Sequence, residues 1–202
     1  MAGIKNVFGG ASIQSGRPFG NVVALRELFD VLKTGNCHTV DTSTLYGSSE
    51  GLLGKAGAAQ QGIVIDTKTS GGISPGGASY RGILSDAERS RERLGQDVGK
   101  YKSTRVRKQS GCCAPCRVPP EPKTHFNADI LYIHAPDEST PLDETLAGIN
   151  QAYKSGFFKR FGLSNFLVED VREVYDKCKQ KGYPLPTVCA YAVYHHALLF
   201  LG

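Results

Sequence analysis

The chain has 202 residues, enough for one sizeable domain with its own core, and its 40% hydrophobic and 21% charged residues are those of an ordinary globular protein rather than a disordered or fibrous one. No apolar run reaches the ~18 residues of a membrane span, and Met1-Ala-Gly-Ile-Lys-Asn-Val-Phe lacks the charged-then-apolar pattern of a secretory leader, so a cytoplasmic address is expected, with free thiols rather than disulfides. The formal charge of +5 is not a distributed binding face: residues 100–128 hold seven Lys and Arg against one Glu, which leaves −1 for the remainder.

In chain order, short β-rich runs alternate with helical stretches. Strands are predicted at Ile4–Phe8, Thr39–Asp41, Ile63–Lys68, Ile130–His134, Arg160–Leu163 and about Thr187–Cys189. Phe8-Gly-Gly10 reads as a tight turn at the end of the first. Val22, Leu25, Leu28, Phe29 and Leu32 recur at helical spacing, with Gly35 as the stop. Ser48–Leu53, Asp86–Leu94, Pro141–Ser155 and Leu167–Lys181 fill the other gaps as helices. Asp143 and Glu144 fall in the first turn of the fourth helix, where the helix dipole favours acids.

Repeated strand–helix order implies parallel strands with right-handed crossovers. An open doubly wound sheet and a (β/α)8 barrel both fit that order. No Gly-x-Gly-x-x-Gly follows the first strand, which argues against a dinucleotide-binding Rossmann unit. Polar residues at the ends of several strands favour the barrel, where such positions converge on one rim. Four of them stand out: Asp41, Tyr46, Lys68 and His134. Taken singly, each has a plain structural reading. Tyr46 fits a rim aromatic, Lys68 a solvated lysine, His134 a core histidine and Asp41 a helix cap. Ser164-Asn165 likewise fits a helix N-cap.

Jointly these segments resemble the aldo-keto reductases, nearest the aflatoxin-aldehyde-reductase-like branch. The resemblance rests on Val7-Phe-Gly-Gly10, Val40-Asp-Thr-Ser-Thr-Leu-Tyr-Gly-Ser-Ser-Glu50, Asp66-Thr-Lys68, Leu131-Tyr-Ile-His-Ala-Pro-Asp137 and Phe161-Gly-Leu-Ser-Asn165, and covers roughly residues 4–99 and 129–188. It implies an α/β (β/α)8 TIM barrel that reduces an aldehyde or ketone to an alcohol with NADPH. Tyr46 would be the proton donor, Lys68 the cation that makes its phenol more acidic, Asp41 the partner of Lys68, and His134 the group that steers the carbonyl. Asp41, Ser164 and Asn165 would face the cofactor. The implied partner is a small carbonyl substrate, with no nucleic acid, no membrane and no metal.

Two stretches depart from the family. Residues 100–128 place 29 residues, with three cysteines and four prolines, where relatives run almost directly into the fourth strand. They read as a disordered basic insertion, and Gly99-Lys100-Tyr101 and Ala128-Asp129 are compatible with splice-site codons, so a retained intron would explain them. Cys113-x-x-Cys116 has no second ligand pair at zinc spacing. From Cys189 to Gly202 the chain again leaves the family, with Ala190 where relatives carry a glutamine, and this tail, including His195-His196, reads as aberrant. The expectation is a single partial reductase domain, 1–202, of about six strand–helix units. About 250 residues make a complete barrel, so weak or absent NADPH binding is expected of this fragment. The alternative is a non-catalytic binding or regulatory module on the same barrel. Against a nucleic-acid role for the basic segment, only Tyr101 and Phe126 interleave its charges.

Overall fold

A computed structural model of the chain describes residues 5–95 and 127–191. Six strands form one sheet: β1 (Phe8–Gly9), β2 (Thr39–Asp41), β3 (Val64–Thr69), β4 (Ala128–Ile133), β5 (Phe158–Ser164) and β6 (Pro186–Ala190). Five helices alternate with them: α1 (Val22–Thr34), α2 (Ser49–Ala56), α3 (Tyr80–Leu94), α4 (Leu142–Lys154) and α5 (Val168–Lys181). Every sheet neighbour is the next strand in sequence, in the order β1-β2-β3-β4-β5-β6, and every pairing is parallel. A doubly wound sheet reverses its order at a switch point; this one never does. The sheet is therefore a curled half-barrel, an incomplete (β/α)8 barrel of six strands, as the sequence leads one to expect.

The core lies between strands and helices. Val40, Ile65, Leu131, Ile133, Phe161 and Leu163 meet Leu25 and Phe29 of α1, Leu53 of α2, Ile83 of α3, Leu146 and Ile149 of α4, and Val174 of α5. Strand side chains alternate in direction, so Asp66, Lys68, Tyr132 and Ser164 fall on the other, concave face. That face is polar.

Two buried carboxylates clamp the layers behind it. Glu50 on α2 accepts from Thr67 Oγ1 (2.7 Å) on β3 and Ser90 Oγ (2.6 Å) on α3, and pairs with Arg93. Asp86 on α3 accepts from the backbone N–H (2.6 Å) and the hydroxyl (2.5 Å) of Ser70, the residue just past β3. Both acids are nearly fully buried together with Thr67, Ser90 and Ser70, while Arg93 stays half-buried, and a buried carboxylate needs such hydrogen-bond partners. The second clamp pins the loop that follows Lys68. Gly71 in that loop has φ +52°, and a Cβ there would stand 2.7 Å from the Ala135 carbonyl, so the loops after β3 and β4 are pressed together.

Element ends moved from expectation. Among the described residues β1 is Phe8–Gly9, paired with Val40 and Asp41 of β2, while Ile4 of the expected strand lies outside them. α3 begins at Tyr80, not Asp86: Ser79 caps it by accepting from Gly82 N–H (3.1 Å), and fully buried Ile83 anchors the added turn. β4 ends at Ile133, which leaves His134 just beyond the strand. It begins at Ala128, fully buried, with its N–H bonded to the Phe157 carbonyl (2.8 Å). Cys189 and Ala190 sit in β6, in register with Leu163 and Ser164. The readings made for residues 100–126 and 192–202 lie outside the described residues.

Candidate active site

β2 ends on Asp41, and β3 presents Lys68 one strand away. Lys68 Nζ donates to Asp41 Oδ2 (2.5 Å) and to the Thr42 carbonyl (3.0 Å). Only 5% of Lys68 is exposed, so the solvated-lysine reading fails. Burial raises the Asp41 pKa from its ordinary value, against the opposing pull of the Lys68 charge. The segment after β2 turns back on itself: Tyr46 N–H donates to the Ser43 carbonyl (3.1 Å), and Gly47 takes φ +53°. That turn brings the Tyr46 ring over the lysine, with Nζ 5.1 Å from its centroid. Tyr132 of β4 flanks the same ammonium at 5.7 Å. Its ring lies against Gly162 of β5, where a Cβ would come within 2.5 Å of Cδ1. Burial, then the neighbouring Asp66 and Asp41, push the Tyr132 phenol up to about 12.

His134 enters from the end of β4, its ring 5.7 Å from that of Tyr46 and nearly perpendicular to it. Burial, then the Lys68 charge, push its pKa down to about 4, so the imidazole is neutral at pH 7. Its Nδ1 lies 3.1 Å from Ser43 Oγ. From the end of β5, Asn165 Nδ2 donates to the His134 carbonyl (3.0 Å) and to Ser164 Oγ (3.1 Å). Asn165 has φ +61°, a conformation Asn tolerates better than most residues.

One cavity of about 410 Å³ is lined by Asp41, Tyr46, Lys68, His134, Ser164 and Asn165 together, with Leu45, Ile73, Ala190 and Tyr191. All six residues singled out in the sequence thus meet, from the ends of β2, β3, β4 and β5. The capping alternatives do not hold: Ser48 is the N-cap of α2 and Leu167 that of α5. A cavity of about 440 Å³ beside α5 contains none of the six.

Sequence reasoning passed over Ser43, Tyr132 and Tyr191. Ser43 sits between Thr42 and Thr44, and nothing in the sequence separates it from them. Tyr191, beside Ala190 on the cavity wall, donates its hydroxyl to the Phe166 carbonyl.

The model of the aldo/keto reductase family matches residues 7–100 and 123–197. The chain belongs to the aldo/keto reductase family. It is 31% identical over 185 residues to the oxidoreductase sirO of Leptosphaeria maculans, covering 90% of this chain and 47% of that protein. An aldo-keto reductase of Pseudocercospora fijiensis is 30% identical over 159 residues, 77% of this chain and 44% of the relative. Aflatoxin B1 aldehyde reductase member 2 of Rattus norvegicus reaches 47% over a shorter stretch of 60 residues, 30% of this chain and 16% of the relative. The chain spans about half the length of the curated relatives it matches along most of its own.

Proposed function

We propose that this cavity is the carbonyl-reducing site of a cytoplasmic, NADPH-dependent aldo-keto reductase in which Tyr46 is the proton donor. The observation that carries the reading is the buried Lys68–Asp41 pair set beneath the Tyr46 ring, with a neutral imidazole beside it. Family membership and the oxidoreductase names of its relatives support the reaction class, and the aldehyde reductase relatives support an aldehyde as the substrate class. The unpaired thiols of Cys37, Cys178 and Cys189 fit a reducing compartment. No helix among the described residues is long and apolar enough to cross a membrane.

The residues at the rim suit the nicotinamide end of the cofactor. Ser164 Oγ accepts from Asn165 and keeps its own proton to donate, and with the Asn165 side chain it forms the mixed donor and acceptor set that a carboxamide takes. A nicotinamide held by Ser164 and Asn165 would supply the hydride for the carbonyl carbon. Tyr46 passes its phenolic proton to the carbonyl oxygen, and the phenolate is reprotonated from water. An ordinary phenol, with pKa about 10, is a poor acid at pH 7; the ammonium of Lys68 favours phenolate and so eases the transfer. Asp41 holds that ammonium in place. His134, being neutral, offers one ring N–H to the oxygen as negative charge develops on it.

Lys68 is the single cation among the described residues lining the cavity, and Asp41 already engages it. The test is NADPH consumption with a small aldehyde at saturating cofactor, comparing the full chain with Tyr46→Phe. Loss of the proton donor should lower kcat by about 10²–10⁴-fold while cofactor binding stays the same. A Tyr46→Phe chain within tenfold of the unsubstituted rate would refute the assignment. A folded chain with no turnover would favour the non-catalytic module.

A further inference from the structure

Ser43 touches His134, one of the residues lining the cavity, and the hydrogen bonds around it are few enough to count. The residue is almost completely buried. A hydroxyl has one proton and two lone pairs. Leu45 N–H donates to Ser43 Oγ at 3.1 Å, which uses one lone pair. Two acceptors compete for the proton: His134 Nδ1 at 3.1 Å and the Lys68 carbonyl at 3.5 Å. The Lys68 carbonyl already receives Thr44 N–H at 3.1 Å and has no need of a second, longer bond. Were Nδ1 protonated instead, Ser43 would accept from both Leu45 and His134 and send its own proton along the 3.5 Å contact. The first arrangement satisfies every group at the shorter distances.

Resting on the carbonyl-reducing reading above, we propose that Ser43 is a positioning residue: it donates to His134 Nδ1 and so holds the imidazole as the tautomer protonated on Nε2. That nitrogen lies on the ring edge away from Ser43, in a side chain that lines the cavity. A neutral imidazole has one N–H to offer, and the bond made by the other nitrogen selects which one. Without Ser43 the two tautomers interconvert, and part of the population would present an acceptor to the substrate oxygen.

The direct test is ¹⁵N NMR of the histidine side chains of the full chain at pH 7, with His134→Gln identifying the His134 signals among the five histidines. The unsubstituted chain should show Nδ1 in the unprotonated, pyridine-like range and Nε2 in the protonated, pyrrole-like range. In Ser43→Ala both should move toward the tautomer average, and Ser43→Thr, which keeps the hydroxyl, should restore them. Where turnover is measurable, Ser43→Ala should lower kcat about tenfold with the cofactor KM unchanged, and Ser43→Thr should recover it. A Ser43 that merely accepts from Leu45 would leave the tautomer unmoved, and that result overturns the proposal. So does a pyrrole-like Nδ1 in the unsubstituted chain, a measurement that needs no variant of Ser43 to fold. The tautomer is read whether or not the chain reduces a carbonyl, so failure of the reductase reading is separable from failure of this one.

Discussion

Lowering the pH should destabilise the fold through His134, by an amount the site itself sets. The imidazole pKa falls from 6.5 to about 4 on folding, so the unfolded chain takes up a proton on this residue in a range where the folded chain does not. Stability then rises with pH across that range: the contribution is intact above about pH 6.5 and is lost as pH falls through about 4. At 1.36 kcal/mol per pH unit the shift corresponds to at most about 3 kcal/mol, and water in the open cavity screens this to about 2 kcal/mol. Asp66 works in the opposite direction. Burial, with help from Asp129, raises its carboxyl from 3.8 to about 6, so its unfavourable charge is relieved as pH falls through nearly the same window. The unsubstituted chain can therefore show a shallow profile while both effects are present. Urea unfolding from pH 7 to pH 4, run in parallel on the unsubstituted chain and on His134→Gln, separates them. Relative to the variant, the unsubstituted chain should lose about 2 kcal/mol across the window. Profiles that stay parallel would mean that His134 is not held neutral by burial and the Lys68 charge, and the reasoning would fail.

Asp66→Asn should stabilise the chain at pH 7 by about 1–2 kcal/mol, since Asn can still accept the Ile130 N–H while shedding the charge; denaturant midpoints at pH 7 and pH 4 check this, the gain being absent at pH 4. Gly162→Ala should cost about 1–3 kcal/mol in thermal or urea unfolding, because the new methyl meets the Tyr132 ring at 2.5 Å and Ile130 Cγ2 at 3.0 Å; an unchanged midpoint would show that Tyr132 is not packed there. Asp41→Asn should take the carboxylate charge from beside Lys68, leaving it an amide oxygen and the Thr42 carbonyl, destabilising the fold by about 2 kcal/mol and lowering turnover, both measurable on one preparation. Full stability in that variant would place the lysine in water rather than beneath Tyr46.

The sheet was legible because each strand carries its own signal. Ile65, Leu131 and Phe161 are apolar residues flanked by turn chemistry, and the strand–helix alternation sets parallel order. Strand and helix ends were less legible, since pairing partners decide them. Among the described residues β1 pairs through Phe8 and Gly9, against Val40 and Asp41, and α3 gains its first turn from a cap at Ser79 and a core contact at Ile83. Asp41, Tyr46, Lys68, His134, Ser164 and Asn165 could be named from motif order and strand-end position. Ser43 could not. Its bond to His134 spans 91 positions and depends on how the turn at 43–47 folds back over the rim. Tyr132 was hidden for a similar reason: a tyrosine in an apolar strand reads as core, and only the missing side chain at Gly162 lets it lie beneath Lys68.

The order of contributions around the rim explains why the acid–base part of the site is so well defined. Asp41 and Tyr46 come from the end of β2, Lys68 from β3 and His134 from β4, which are consecutive neighbours in the sheet. Lys68 meets Asp41 and Tyr46 from the adjacent strand, His134 reaches Tyr46 and Ser43 across the end of β3, and the Glu50 and Asp86 clamps hold β3 and the residue just past it. Ser164, Asn165, Ala190 and Tyr191 follow from β5 and β6 and are joined to that group through Asn165, whose amide holds the His134 carbonyl. On the proposed reading, proton chemistry and cofactor orientation would occupy successive arcs of one curled sheet. Asn165 is the hinge between the arcs, and its left-handed backbone is what turns the side chain from β5 back toward β4. A residue without a short polar side chain would meet both requirements at once only with strain, which ties the identity of position 165 to the geometry of His134 as much as to any bound cofactor.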